Sequence, residues 1–461
     1  GRLRLNARVS SQVYDTAELD SFAIPAAQAH TEHDHVDDNY FQTELGARYV
    51  RGFGARANVE IVALRQDKSE LSADDFRPES NSPSGDLQDF RLRARTSESI
   101  LRGVLKFQQS PTFSWESGIE GAYNTLTSQT QFSDNGVAQQ LPAANVTVDE
   151  TRGEGFVKAT WRPISQITLE GALRQEGSKI ESSGDVTLSK TLFFTKPRVV
   201  LTWAPDADTQ VRLRYEREVG QLDFNSFVAS TSLNAGFITA GNPNLEPQQD
   251  WASEIALEQH FLKSGSIVLT ARHLQLTDVV DRAPVRGPDG SFFDTPANIG
   301  SGTENDFLVT MNLPLDWLGL KGASVRGDYT RRFSQVTDPT TGQRRPITQQ
   351  HPNDWDAHFI QPIGNVSYGV DIGGGWQQRY YRFNQIEIDK LQTYVTPFWE
   401  WKPNPKFSFR IEIDNVTARG FKHNYENFNG PRNLVPLAFV DERSVHPGRV
   451  FYFRLRKTFG N

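Results

Sequence analysis

Three histidines fall within six residues in His30-Thr31-Glu32-His33-Asp34-His35, and Val36-Asp37-Asp38 follows directly. Imidazole and carboxylate at that density are transition-metal ligands, and in an extended chain His33 and His35 project to the same side. His30, His33, His35, Asp37 and Asp38 are therefore the candidate metal set, a divalent ion at a surface loop being the one cofactor the residues offer. Asp37 and Asp38 would equally suit oxygen-coordinated calcium, and a solvated loop with no ligand is the plainer alternative. His423 and His446 lie near Ser444, which is all a hydrolase would have to work with. No G-x-S-x-G elbow, Walker loop, dinucleotide fingerprint or H-E-x-x-H is present, so no catalytic residue is expected. The chain has no cysteine, which excludes disulfides, thiol catalysis and cysteine zinc sites together.

The elements that would carry such residues show in the periodicity. Val211, Leu213 and Tyr215 alternate with Arg212, Arg214, Glu216 and Glu218; Ile167, Leu169 and Leu173 alternate with Thr168, Glu170 and Arg174; Phe407, Phe409, Ile411 and Ile413 alternate with Ser408, Arg410, Glu412 and Asp414. Period two over such lengths predicts strands. The 30 Phe, 12 Tyr and 9 Trp beside a single Met favour strands over helices. No window of about twenty residues is free of charged or strongly polar side chains, which excludes a helical membrane protein. A net charge of −7 argues against a nucleic-acid surface.

Connections between the strands are of two kinds that alternate. Short ones lie near Gly54, at Ser110 to Thr112, near Ile164, at Pro205 to Ala207, at Lys263 to Gly265, near Gly319, near Gly364 and at Pro403 to Pro405. Long ones run from Asp15 to Asp38, Asp74 to Gln88, Asp134 to Ala144, Ser182 to Ser189, Gly220 to Gln249, Arg282 to Thr303, Thr337 to His351, Arg382 to Gln385 and Gly420 to Val445. This predicts about 18 strands in an all-β, antiparallel, up-and-down sheet, and closure into a barrel is the natural way to dispose of its edges. An apolar face opposite one rich in Arg and Glu suits lipid outside and a wet or protein-filled lumen inside. Trp115, Trp161, Trp203, Trp317, Trp399 and Trp401 sit near the short turns, where an interfacial girdle belongs. Arg212, Arg214, Glu216, Arg326, Asp328, Arg410 and Glu412 are then lumen-lining, as structural ladders or along a solute path. Loop aromatics Phe224, Phe227, Phe237, Phe292, Phe293, Tyr425 and Phe428 are the candidate ligand contacts. Gly373 to Gly375 are expected inside a strand, at a bend or a close packing contact.

Three stretches resemble the barrel of TonB-dependent outer-membrane receptors. Gly241-Asn242-Pro243-Asn244-Leu245-Glu246-Pro247, followed by Trp251 and Ser253 to Glu258, is similar to the family's entry into a long strand. Ile411-Glu412-Ile413-Asp414-Asn415-Val416, with Tyr425 beyond it, resembles the penultimate strand, and Pro447-Gly448-Arg449 leading into Phe451, Phe453, Leu455 and Phe459 resembles the closing one. The resemblance implies a barrel of about 22 strands in the outer membrane of a Gram-negative bacterium. It also implies a receptor that binds a scarce solute, such as a siderophore, cobalamin or saccharide, at its outer loops. Import would draw on the TonB-ExbB-ExbD complex acting through a plug. On this reading residues 1 to 461 are one transmembrane barrel domain, and the N-terminal plug and the first strands are expected to be absent from it. Expected partners are outer-membrane lipid and lipopolysaccharide, the small solute and a surface lipoprotein, with no nucleic acid. The competing readings are a passive porin-like channel or plugless scaffold and, from another class, an outer-membrane hydrolase or soluble propeller.

Overall fold

The computed structural model describes residues 1–22, 30–78, 87–233, 235–287 and 290–459. Its main sheet has 20 strands, of which Val137–Gln139 and Arg344–Arg345 are short pieces within connections. The other 18 are β1 (Arg2–Phe22), β2 (His30–Phe53), β3 (Ala57–Pro78), β4 (Gln88–Gln108), β5 (Phe113–Asp134), β6 (Asn145–Ile164), β7 (Ile167–Gly184), β8 (Leu188–Trp203) and β9 (Thr209–Val219), then β10 (Gln249–Phe261), β11 (Gly265–Thr277), β12 (Gly302–Pro314), β13 (Ser324–Thr337), β14 (Asn353–Ile363), β15 (Val366–Gly373), β16 (Tyr394–Asn404), β17 (Phe407–Asp414) and β18 (Val450–Lys457). Each pairs antiparallel with the next. Strand number and alternation of turns agree with the sequence pattern.

The two faces separate as the alternation demands. Leu5, Val9, Ile119, Phe193, Phe453 and Leu455 stand 66% to 74% exposed on the outer face, far more apolar surface than water would tolerate. Trp161, Trp203, Trp317, Trp399 and Trp401 are exposed beside the tight turns. The inner face carries interlocked charges. Glu154 meets Arg174 at 3.2 Å and Lys196 at 2.5 Å; Arg198 reaches Glu216 at 3.4 Å; Arg214 reaches Glu218 at 2.9 Å and Glu254 at 3.0 Å. The more exposed of these pairs contribute roughly 1 kcal/mol or less each, so the ladder cancels charge along the wall more than it holds it.

Strand length differs around the sheet. β2 has 24 residues and rises about 80 Å along its axis, more than twice what a bilayer crossing needs. The long connection expected at Asp15 to Asp38 is therefore mostly strand, and the one at Asp74 to Gln88 begins as strand as far as Pro78; residues 23–29 and 79–86 lie outside the described residues. Opposite, β17 has only 8 residues. There the wall breaks and resumes as a second sheet of Gln377–Tyr381, Gln385–Leu391, Phe421–Phe428 and Leu437–Val445. Register shows that this sheet continues the barrel: Gly373↔Tyr394 is followed by Gln377↔Lys390, three residues facing three across the break. Between Asp414↔Val450 and Phe421↔Val445, residues 415–420 face the shorter 446–449. Asn415 absorbs the excess at φ 50°, which asparagine tolerates, and its side-chain amide donates to the Arg419 and Gly448 carbonyls at 2.7 and 3.0 Å. Gly374 and Gly375, at φ 83° and 70°, are not inside a strand as the sequence suggests but form the break itself.

β1 pairs only with β2 and β18 only with β17 among the described residues, so the sheet has two open edges.

Candidate functional site

Residues 220–248, between β9 and β10, fold back over the inner wall, and the wall is prepared for them. Above its charged middle, β4 to β7 turn inward Ala94, Leu126, Val148 and Ile180, and the connection covers these with Phe227, Val228 and Leu245. Burying such side chains stabilises by about 1.5–3 kcal/mol apiece. Ala229 and Leu233 extend the contact onto Phe76, Phe90 and Phe132.

The Gly241 to Pro247 motif holds this arrangement. A Cβ on Gly241 would lie 2.2 Å from the Phe227 carbonyl, so only glycine lets the two backbones pass. Asn242 Nδ2 donates to the Pro296 carbonyl at 2.8 Å, Lys190 Nζ to the Leu245 carbonyl at 2.5 Å, and the Glu246 amide to Asn298 Oδ1 at 2.9 Å. Pro247 stops pairing just before β10 begins at Gln249.

Beneath residues 220–225 lies a cavity of about 250 Å³ lined by Lys68, Glu98, Asn124, Glu150, Arg152, Glu176 and Phe194. Glu150 accepts from Asn124 and Ser178, both at 2.9 Å. The chamber is polar with an aromatic side, suited to a solute bearing hydroxyl, amide or cationic groups.

The other long connections join through buried charge. Arg345 donates from Nη1 to Asp281 at 2.8 Å and from Nε to Asp338 at 2.7 Å, and Arg432 Nη2 also reaches Asp338 at 2.8 Å. Arg382 stacks over Phe237 at 3.5 Å and donates to Glu387 at 2.7 Å. Asp294 accepts from the Phe383 amide at 3.0 Å, and burial pushes its carboxyl up to about 6 despite the nearby Arg382 and Arg282. Burial, reinforced by Arg382, pulls Arg282 below its usual value. The connections after β9, β11, β13, β15 and β17 thus form one cap.

Within the cap, Glu387, Asp389 and His423 hold a ligand atom apiece within 4.8 Å of one another. His423 Nδ1 lies 2.8 Å from Asp389 Oδ1. Burial raises Glu387; burial works on Asp389 as well, but bonds from His423 and Gln378 hold it low. Two carboxylates and an imidazole suit a divalent cation, with Arg382 supplying the positive charge at Glu387. Glu387 and Asp389 escaped the sequence reading, although Gln385-Ile386-Glu387-Ile388-Asp389 alternates and turns both acids to one face.

The residues singled out from sequence are dispersed. His33 and His35 project together from β2, where His35 Nε2 meets Asp15 at 3.0 Å; Asp38 is on the opposite face, and the side chain of His30 lies outside the described residues. Strand pairing on both sides splits that set. Phe227 and Tyr425 are buried, Tyr425 stacked on His423. Phe224 packs on Phe227, Phe237 lies under Arg382, Phe293 joins the wall cluster and Phe428 is half-buried at a hairpin end; Phe292 is exposed. The inner charges behave as ladders, with Arg212 3.3 Å from Glu254, Arg410 2.7 Å from Glu412 and Asp328 accepting from Thr310, while Arg326 is exposed on β13.

The family model described as TonB dependent receptor-like, beta-barrel matches residues 4–416. Among solved structures, the pyoverdine outer membrane receptor FpvA from Pseudomonas aeruginosa PAO1 superposes at a TM-score of 0.65, with 11% identity over 99% of this chain and 74% of that one. The copper transporter OprC follows at 0.60, 9%, 99% and 80%, and the ferric-catecholate import receptor Fiu from K12 E. coli at 0.57, 10%, 99% and 81%. No curated protein matches the sequence. At these identities the structural likeness speaks for the fold.

Proposed function

This chain belongs to the TonB-dependent receptors, through their β-barrel, and from that premise we propose that it captures a scarce solute at the cap and imports it with energy delivered by TonB through a plug. The family places it in the outer membrane of Gram-negative bacteria as a transporter, not an enzyme. The observation that carries the proposal is the connection folded back onto the inner wall, fixed by Phe227 and Leu245 above a polar chamber. A passive channel needs an unobstructed mouth, whereas a receptor needs a structured surface that makes and breaks contact with one solute. Siderophores, cobalamin and saccharides all present hydroxyl, amide or cationic groups, and a chamber of about 250 Å³ would take such a group and not a whole solute of that size. Self-neutralised inner charges fit a wall past which a plug slides.

Uptake of candidate solutes by cells carrying the protein, with and without TonB, tests this. Saturable uptake lost on deletion of TonB is expected. Uptake that persists, or a large steady conductance in planar bilayers, would replace the receptor with a channel.

A further inference from the structure

The two faces of β4 exchange their chemistry part-way up the strand. Near the tight turn Phe107, Leu105 and Leu101 point outward, Leu101 being 60% exposed, while Arg102 and Lys106 point inward to Glu120 at 3.8 Å and Glu60 at 3.5 Å. Ser99 and Ser97 follow on the outer side. Beyond them Phe90, Leu92 and Ala94 turn inward to the clusters under the connection after β9, and Arg91, Arg93 and Arg95 turn outward, all three exposed. Phe107 and Ser97 are ten positions apart, about 34 Å along a strand and about 26 Å of height at a tilt of about 40°. A lipid-facing band has that height, so the arginines begin at its upper border and rise from it one above another.

This stripe is not neutralised as the inner ladders are. Among the described residues Arg93 stands between Leu71 of β3 and Gln129 of β5, and Arg95 between Ser69 and Thr127, with no ion pair at either. Arg91 is held by Asp75 at 2.6 Å. The stripe borders an open groove of about 530 Å³ to which Asn39, Leu71, Gln129 and Gln131 also contribute. Among the described residues its one acid is Asp37, which accepts from Asn39 Nδ2 at 2.9 Å. A strand that needed only solubility would interleave carboxylates, as β3 does with Arg65 and Asp67, 2.9 Å apart on the same outer face. A guanidinium instead fits phosphate with two parallel hydrogen bonds, and neighbouring amides fit sugar hydroxyls.

We infer that Arg93 and Arg95, continued upward by Arg91, form an exterior site for a phosphorylated glycolipid of the outer leaflet. Its acyl chains lie against the apolar band that includes Leu101, its phosphates meet Arg95 and Arg93, and its sugar hydroxyls meet Gln129 and Gln131 in the groove. Height favours this occupant over a soluble phosphate or an acidic protein, because the charges start where acyl chains stop. The site lies on the face of β4 opposite the cap, so it is separate from the solute captured there.

The test titrates the protein, purified in mild detergent, with rough-type lipopolysaccharide, with the same material stripped of phosphate, and with its phosphorylated sugar freed of acyl chains. Native mass spectrometry reads the bound fraction. The parent is expected to bind the intact glycolipid about tenfold or more tightly than either stripped form. The double variant Arg93→Gln with Arg95→Gln should lose that preference, while Arg56→Gln, exposed in a tight turn at the opposite end of the strands, should keep it. Equal binding of intact and phosphate-free glycolipid by the parent would overturn the inference without recourse to any variant. An unchanged preference in the double variant would overturn it as well, leaving the stripe as solvated charge. Acyl-free sugar bound as tightly as the glycolipid would replace the lipid with a soluble phosphate ligand.

Discussion

Removing Asp281 should uncouple the cap while leaving the barrel intact. Its side chain is fully buried and serves three donors: Arg345 Nη1 at 2.8 Å, the Thr348 amide at 3.1 Å and the Arg282 amide at 2.6 Å. Asp281→Ala strands two backbone amides and takes one of two carboxylates from a buried guanidinium, which keeps Asp338 and, through Nη1, the Pro346 carbonyl at 2.9 Å. Stranded buried donors cost about 1–3 kcal/mol each and a broken buried ion pair about 3–5 kcal/mol. The terms overlap, so about 4 kcal/mol is the reasonable sum, roughly a thousandfold in the closed-to-open ratio of the cap. Limited proteolysis of detergent-solubilised protein reads it, because cleavage within 278–301 and 338–352 follows the open population when reclosing is fast. Heat-modifiability, which reports the barrel, should not move. The double substitution Asp281→Leu with Arg345→Met, which removes both charges, should recover the part of the protection lost to the stranded guanidinium, while the two amides stay unpaired. If Asp281→Ala leaves cleavage within about threefold of the parent, the cap does not depend on its charge network and the reasoning fails.

Gly241→Ala should detach residues 220–248 from the inner wall, since the added carbon would sit 2.2 Å from the Phe227 carbonyl. Solute binding at the outer surface should fall, and unchanged binding would remove the motif's structural role. Asp294, raised to about 6 by burial, binds its proton more tightly in the folded cap than in an unfolded chain. Its contribution is therefore complete below about pH 4 and is lost as pH rises through 6, by about 2–3 kcal/mol. Hydrogen-exchange protection in 292–298, corrected for the intrinsic rise of exchange with pH, should fall over that window in the parent and not in Asp294→Asn, and protection that increases with rising pH would contradict it. Zinc should bind more tightly to Arg382→Ala than to the parent, because Glu387 is released, and more weakly to His423→Ala; titration calorimetry giving equal affinities for all three would exclude a cation site at Glu387, Asp389 and His423.

The barrel was legible because lipid and lumen impose opposite chemistry on successive residues, and Val211 to Glu218 displays it without ambiguity. Where both faces meet water the signal fades: the polar stretch from His30 to Asp38 lies above the membrane and reads as loop, although β1 and β3 pair it on both sides. The upper sheet was hidden for a different reason. Breaks at Gly374, Gly375 and Asn415 interrupt the alternation, so the hairpins beyond them look like isolated turns. The motif at Gly241 announced a strand start, but nothing in it tells that Leu245 would be set into a pocket built by β4 to β7. Asp389 and His423 are 34 positions apart, beyond any spacing rule, and meet only because Gln385–Leu391 pairs with Phe421–Phe428.

The breaks in β15 to β18 lie side by side, at residues 374–376, 391–393, 415–420 and 446–449. Together they make a crease across one flank of the wall, while β2 to β7 rise through the same height without interruption. The rim is thus stiff on one side and jointed on the other. A load applied at the cap meets an unbroken ladder in the tall strands and an interrupted one at the crease, where pairing gives way to the turn at Gly374 and Gly375. Bending of the upper sheet at the crease would leave the hydrogen-bonded ladder below it undisturbed.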